Sequence, residues 1–261
     1  MSKYIREAAV LAVAGISAVS FGQNVVLELA DGGCTAQVNA GTSASSGPLG
    51  VNSWTVGGTQ EIRQQVYLLS INGGGVVPIN DLGAPAVDQP SSREVTIRYT
   101  QSDYTISVHY LLTGGAPDLC DLSEQVTLMN TSNGSFTYNL EDLNHLAPAN
   151  QTGGTATLLD PNTIQQVNNG TAVTVGTDLT PTHWMINTFS SAASSALGGG
   201  NLPDGSSPFT NSDIGSVFQW RGSLGAGDSL QFNVNKEVAV PEPASLLALG
   251  GLTILALRRR R

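Results

Sequence analysis

Apolar and polar residues alternate with a period of two along most of this chain, and almost nowhere with the period of a helix. Residues 94–99 (EVTIRY) and 104–110 (YTISVHY) alternate on either side of Gln101-Ser102-Asp103, which predicts a hairpin. Residues 125–129 and 135–140 flank Ser132-Asn133-Gly134, and residues 163–167 and 171–175 flank Asn168-Asn169-Gly170. Asn-Gly is the strongest short turn signal, so both pairs are also expected to be hairpins. Further strands are predicted at 25–29, 37–39, 54–56, 62–70, 155–159, 183–187, 217–221 and 229–234. Residues 190–197 are the one short helical candidate, and residues 198–208 read as a loop. Short strands at this spacing predict an all-β fold, an antiparallel β-sandwich with Greek-key-like connections. One domain over residues 23–237 is the simpler expectation, with a division near the linker-like residues 148–154 as the alternative.

The two ends break the pattern. Lys3 and Arg6 precede an apolar stretch over residues 8–19 and small residues at Ser20 and Gly22. This is the layout of a secretory signal peptide, expected to span residues 1–22, with cleavage after Gly22 or, as the alternative, after Ser20. It implies passage through the Sec translocon and processing by signal peptidase. At the other end, residues 238–261 carry Val240, Pro241, Glu242, Pro243 and Ala244, an apolar run over 244–257, and then Arg258, Arg259, Arg260 and Arg261. The apolar run would make about 21 Å of helix at ~1.5 Å per residue, a short span against a bilayer core of about 30 Å. The four arginines would hold that end in the cytoplasm, and Pro241 and Pro243 would keep the peptide outside the membrane extended.

Val240 to Ala244, the apolar segment and the terminal arginine cluster together resemble the PEP-CTERM sorting signal of exported bacterial proteins. Residues 122–130 and Phe218-Gln219-Trp220 resemble, more loosely, the β-rich ectodomains attached to that signal. The resemblance implies recognition by an exosortase at the Pro-Glu-Pro motif, a transient inner-membrane anchor, and release to the cell surface or an exopolysaccharide matrix. It implies no particular activity for the ectodomain.

Composition sharpens this expectation. Between residues 23 and 240, 18 acidic residues against five basic ones leave a net charge of −13. Such a surface repels phosphate backbones, which excludes nucleic acid as a partner. Cys34 and Cys120 in an exported chain are most simply a disulfide, closing a loop worth up to about 4–5 kcal/mol on the chain-entropy model. Two buried thiols, or a catalytic cysteine, are the other readings.

Candidate chemistry is sparse. His109, His145 and His183 are far apart and form no zinc-binding spacing; His109 is expected to be a hydrogen-bonded strand residue. No nucleophile elbow and no phosphate-binding loop is present. Asp118, Asp121 and Glu124 cluster beside Cys120, and Glu141, Asp142 and Asn144 form a second group. Either could hold a structural Ca²⁺ through hard oxygen ligands, although neither matches a known ligand spacing and solvated acidic loops explain both. No other cofactor is expected. Trp54, Trp184 and Trp220, with Tyr67, are candidates for stacking against a sugar ring, or for filling a sandwich core. These features favour a non-enzymatic surface or matrix protein. The alternative is a secreted carbohydrate-active module, and an exposed aromatic row or a cleft with paired carboxyl groups would distinguish it.

Overall fold

A computed structural model of the protein describes residues 19–20, 26–41, 50–115 and 119–239. The sorting motif, the apolar segment and the arginine cluster lie outside the described residues, as does the proposed signal peptide apart from Val19–Ser20. Those two residues pair with Ala86 and Val87 at a sheet edge, so cleavage after Gly22 would remove this edge strand. No helix among the described residues is long and apolar enough to cross a membrane.

Two antiparallel sheets face each other. The ten-stranded sheet runs, in spatial order, Val19–Ser20, Ala86–Ser91, Glu94–Thr100, Tyr104–Gly114, Cys120–Asn130, Ser229–Ala239, Thr171–Thr177, Thr163–Asn168, Gly154–Asp160 and Phe209–Asn211. The eight-stranded sheet runs His183–Thr188, Ile214–Leu224, Phe136–Leu146, Thr59–Ile71, Gly50–Val56, Cys34–Asn39 and Val26–Asp31, with Val77–Pro78 added beside Thr59–Ile71. Strands before and after residues 148–154 share both sheets.

Alternation dictates which side chains meet. In Cys120–Asn130 every second residue is buried, from Cys120 and Leu122 through Val126 and Leu128 to Asn130. These pack against Trp54, Tyr67, Leu69, Leu140, Phe218 and Trp220 of the opposing sheet. Thr59–Ile71 and Phe136–Leu146 instead carry unbroken buried runs, because both their faces are covered. The second cover is the helix Phe189–Leu197, whose Ala192 and Ala196 lie on Val66, Leu143, Met185 and Val217. Thr188 caps it by accepting a hydrogen bond from the Ser191 N–H. Gly215 makes the close approach possible, since a Cβ there would fall 2.9 Å from the Phe189 Cα.

The predicted hairpins at 94–110 and 163–175 form with their strands paired as expected. The one across Ser132-Asn133-Gly134 does not. Cys120–Asn130 pairs with Tyr104–Gly114 and Ser229–Ala239, whereas Phe136–Leu146 belongs to the other sheet, so this turn crosses the sandwich. The buried Asn130 side chain holds the crossing, its Nδ2 donating to the carbonyls of Gly134, Leu224 and Gly225. The Pro-containing strand Ala86–Ser91 and the short Phe209–Asn211 were not predicted.

Cys34 and Cys120 are bonded, with Cα atoms 6.2 Å apart, and join one sheet to the other. The Trp54 indole N–H donates to the Cys120 sulfur at 3.2 Å, so the bridge sits inside the core. Replacing both cysteines by serine is expected to cost about 2–4 kcal/mol, read as a lower urea midpoint of unfolding.

Candidate functional site

The outer face of the eight-stranded sheet presents successive rows of side chains fixed by strand register. Ser70, Asn139 and Arg221 form one row, because Asn139 lies directly opposite Ser70 on one neighbour and Arg221 on the other. Leu68, Glu141, Gln219 and His183 form the next, and Val66, Leu143, Val217 and Met185 the one after. Neighbours within a row stand about 4.8 Å apart and rows about 7 Å apart.

Each row has a different cover. The third lies under the helix. The second lies under residues 198–204, where the Gln219 amide donates to the Gly200 carbonyl at 2.8 Å and accepts from the Leu202 N–H at 3.0 Å. Asp204 ties down the far end of this segment, accepting from the Trp184 N–H at 3.0 Å and contacting the His183 Nδ1 at 2.9 Å. The first row opens into a cleft of about 460 Å³. Gly73, Gly74 and Gly75 form one wall, Gly198 and Gly199 another, and Tyr138 and Asn139 the strand between. Gly73 (φ +69°) and Gly199 (φ +71°) occupy left-handed backbone, so the turns that build these walls favour glycine. Arg221 is the one charged residue among the described lining, and its Nη1 donates to the Asn201 side-chain oxygen.

Behind this row sits a carboxylate. Glu141 is fully buried, and one of its oxygens accepts from the Asn139 amide at 2.9 Å and the Gln219 amide at 2.7 Å. Its other oxygen, Oε2, and the Asn139 Oδ1 are buried with no partner. Burial pushes the Glu141 carboxyl up to about 7, against the opposing pull of the two amides and the Arg221 charge.

The residues singled out from sequence fall elsewhere. Trp54 and Trp220 are buried, at 0% and 2% exposure, and Tyr67 at 1%. Trp184 is half-buried and packs against the same core. A stacking platform of Trp54, Trp184 and Trp220 is therefore corrected to core packing. The Ca²⁺ candidates separate as well. Asp118 lies outside the described residues, Asp121 is exposed, and Glu124 is buried on the opposite face of the same strand, bonded to Lys236 at 2.6 Å. In the second group Glu141 points outward, while Asp142 and Asn144 point inward with Gln65. No group of three or more metal-ligating side chains comes together among the described residues. His109 is the hydrogen-bonded strand residue expected, its Nε2 lying 2.9 Å from Glu94. Sequence reading missed Asn139, Glu141, Gln219 and Arg221 as a group. Their i, i+2 spacing looks like an ordinary solvated strand face, and the glycine runs at 73–75 and 198–200 were the available hint.

No protein-family model and no curated protein matches the sequence. The fold is similar to part of a bacterial glucoamylase solved in complex with acarbose, with a TM-score of 0.57 and 10% identity. That match covers 92% of this chain but only 37% of the glucoamylase. The chain is also similar to the Slr1438 protein from Synechocystis sp. PCC 6803, with a TM-score of 0.55 and 9% identity over 85% of this chain and 99% of that one. At such identities the likeness is one of fold.

Proposed function

We propose that this is an exported, non-enzymatic surface or matrix protein that holds polysaccharide in the cleft over Ser70, Asn139 and Arg221. The observation that carries the binding role is the cleft itself. Its volume lies in the range of small-ligand sites, and beside Val76, Tyr138 and Leu197 it is lined by glycine-rich backbone, Ser70, Thr137, Asn139 and Arg221, which suit hydroxyl groups. No Asp or Glu is among its described lining residues, which favours holding a glycan over the two-carboxylate chemistry of hydrolysis. The fold shared with part of a glucoamylase is consistent with a carbohydrate ligand.

Export and sorting rest on the sequence of residues 1–22 and 238–261. In this reading an exosortase-type peptidase acts at Val240 to Ala244, and the ectodomain ends at the cell surface or in the exopolysaccharide. The bridge between Cys34 and Cys120 suits an oxidising compartment. One sample tests both halves. Protein recovered from its native host is expected outside the cell, lacking residues 1–22 and those beyond about Pro243, and to bind oligosaccharides in solution. An intact, membrane-held C-terminus would overturn the sorting reading. Failure to bind any member of a broad oligosaccharide panel at millimolar concentration would overturn the binding reading.

A further inference from the structure

The cleft alone does not account for the polar atoms beside it. Asn139 Oδ1, an acceptor, and Glu141 Oε2, an acceptor when the carboxyl is ionised, are both sealed from solvent and both unpaired, on residues joined to each other by a 2.9 Å hydrogen bond. An unsatisfied buried acceptor costs about 1–3 kcal/mol, and here there are two at one spot. Residues 198–204, which lie over the row that holds Glu141 and Gln219, are fastened by hydrogen bonds to Gln219, Arg221, His183 and Trp184. Leu202 supplies the buried apolar anchor of this segment, and three consecutive glycines, Gly198 to Gly200, lead into it.

We infer that residues 198–204 are a strap that a neutral sugar displaces, placing adjacent ring hydroxyls on Asn139 and Glu141 while Arg221 donates to one of them. This rests on the binding role proposed above and specifies its ligand. A hydroxyl donates and accepts at once. Two adjacent hydroxyls can each donate to one of the orphan acceptors while one of them accepts from Arg221, which neither a carboxylate nor an ammonium group can do. An ammonium group would face Arg221. A uronate or sulfate would face Glu141 and the −13 charge of residues 23–240. The hydroxyls also replace the bonds that Gln219 and Arg221 lose to the strap, which offsets the cost of opening it.

The test is titration calorimetry of the full-length protein with maltoheptaose and cellohexaose, beside oligogalacturonate and a chitosan oligomer. Hydrogen exchange of residues 198–204 is followed in the same samples. A neutral oligosaccharide is expected to bind preferentially, and Asn139→Ala and Arg221→Ala are each expected to weaken it about tenfold. The wild-type Leu202 amide, bonded to Gln219 in the free protein, is expected to exchange faster when the sugar is bound. A ligand normally slows exchange where it binds, so faster exchange is specific to strap displacement. Unchanged or slower exchange at Leu202 on saturation would refute the strap. Preference for the oligogalacturonate or the chitosan oligomer would refute the neutral class yet leave the binding role standing. No binding by any of the four would remove both.

Discussion

Replacing Lys236 by Met is expected to be among the most destabilising single changes in the protein, costing about 3–5 kcal/mol. Lys236 and Glu124 are each 0% exposed and lie on adjacent strands of the ten-stranded sheet, inside the sandwich. The Lys236 ammonium donates to Glu124 Oε1 at 2.6 Å, and the Tyr67 hydroxyl, from the opposing sheet, donates to Oε2 at 2.5 Å. Burial raises the Glu124 carboxyl; Lys236 is the strongest influence opposing that rise, and Asp142 nearby adds to it. Burial also raises the Tyr67 hydroxyl well above its usual range, so it remains a donor. Without Lys236 the carboxylate stays charged with no counterion or takes up a proton at a cost that grows with pH. The loss should therefore be larger at pH 8 than at pH 5. The double variant Glu124→Gln/Lys236→Met keeps an acceptor for Tyr67 and removes both charges, and it is expected to recover most of the stability. Urea unfolding of the two single variants and the double variant gives the coupling directly. If Lys236→Met alone shifts stability by less than about 1 kcal/mol, the pair is not the interior clamp described here.

That clamp shows what the sequence made legible and what it did not. Glu124 shares the parity of Cys120, Leu122, Val126 and Leu128, and Lys236 that of Phe232, Val234 and Val238, so strand alternation alone places both inside. Reading Asp121 and Glu124 together as a Ca²⁺ cluster ignored that parity, since residues three apart on a strand face opposite ways. The strands themselves were readable because their signal is local. The crossing at Ser132-Asn133-Gly134 was not, because an Asn-Gly turn inside a hairpin and one between sheets look alike. What separates them is a long-range contact, Asn130 with the carbonyls of Leu224 and Gly225. Pro90 argues against a strand at Ala86–Ser91, yet this segment lies toward a sheet edge, where proline is tolerated. The cleft is the extreme case. It draws on residues near 70–75, 137–139, 197–199 and 221, whose proximity depends on the register of three strands and the packing of one helix.

The same burial that made the candidate site hard to see gives it an unusual pH signature. Stability is expected to fall as pH rises from about 4.5 to about 7, by on the order of 5 kcal/mol in total. Glu141 and Glu61 set this window, and Glu124, which burial also raises, acts in the same direction. Burial pushes Glu141 up to about 7, as described above, and pushes Glu61 up to about 7 as well, with only the Ala149 N–H, donating at 3.1 Å, pulling the other way. Both would titrate near 4.5 in the unfolded chain. Their folded-state values are raised, so between about 4.5 and 7 the folded protein binds more protons than the unfolded one, and stability declines with pH. Below that window both states are protonated, and above it both are ionised, so the effect is flat at either end. Desolvation raises Asp204, but the bonds from His183 and the Trp184 N–H together outweigh it and hold the carboxyl below its usual value, so it acts oppositely and only in more acidic solution. The Glu61→Gln/Glu141→Gln variant isolates the two groups. It should match the wild type in stability near pH 4.5 and exceed it by several kcal/mol at pH 8, with a flatter profile between. Urea midpoints at half-unit steps of pH give both curves, and parallel curves for the two proteins would show that neither carboxyl holds its proton in the fold. The comparison also bears on the cleft. A charged Glu141 that weakens the fold at neutral pH is tolerable in a protein selected to bind a ligand there, and hard to explain in one selected for stability alone.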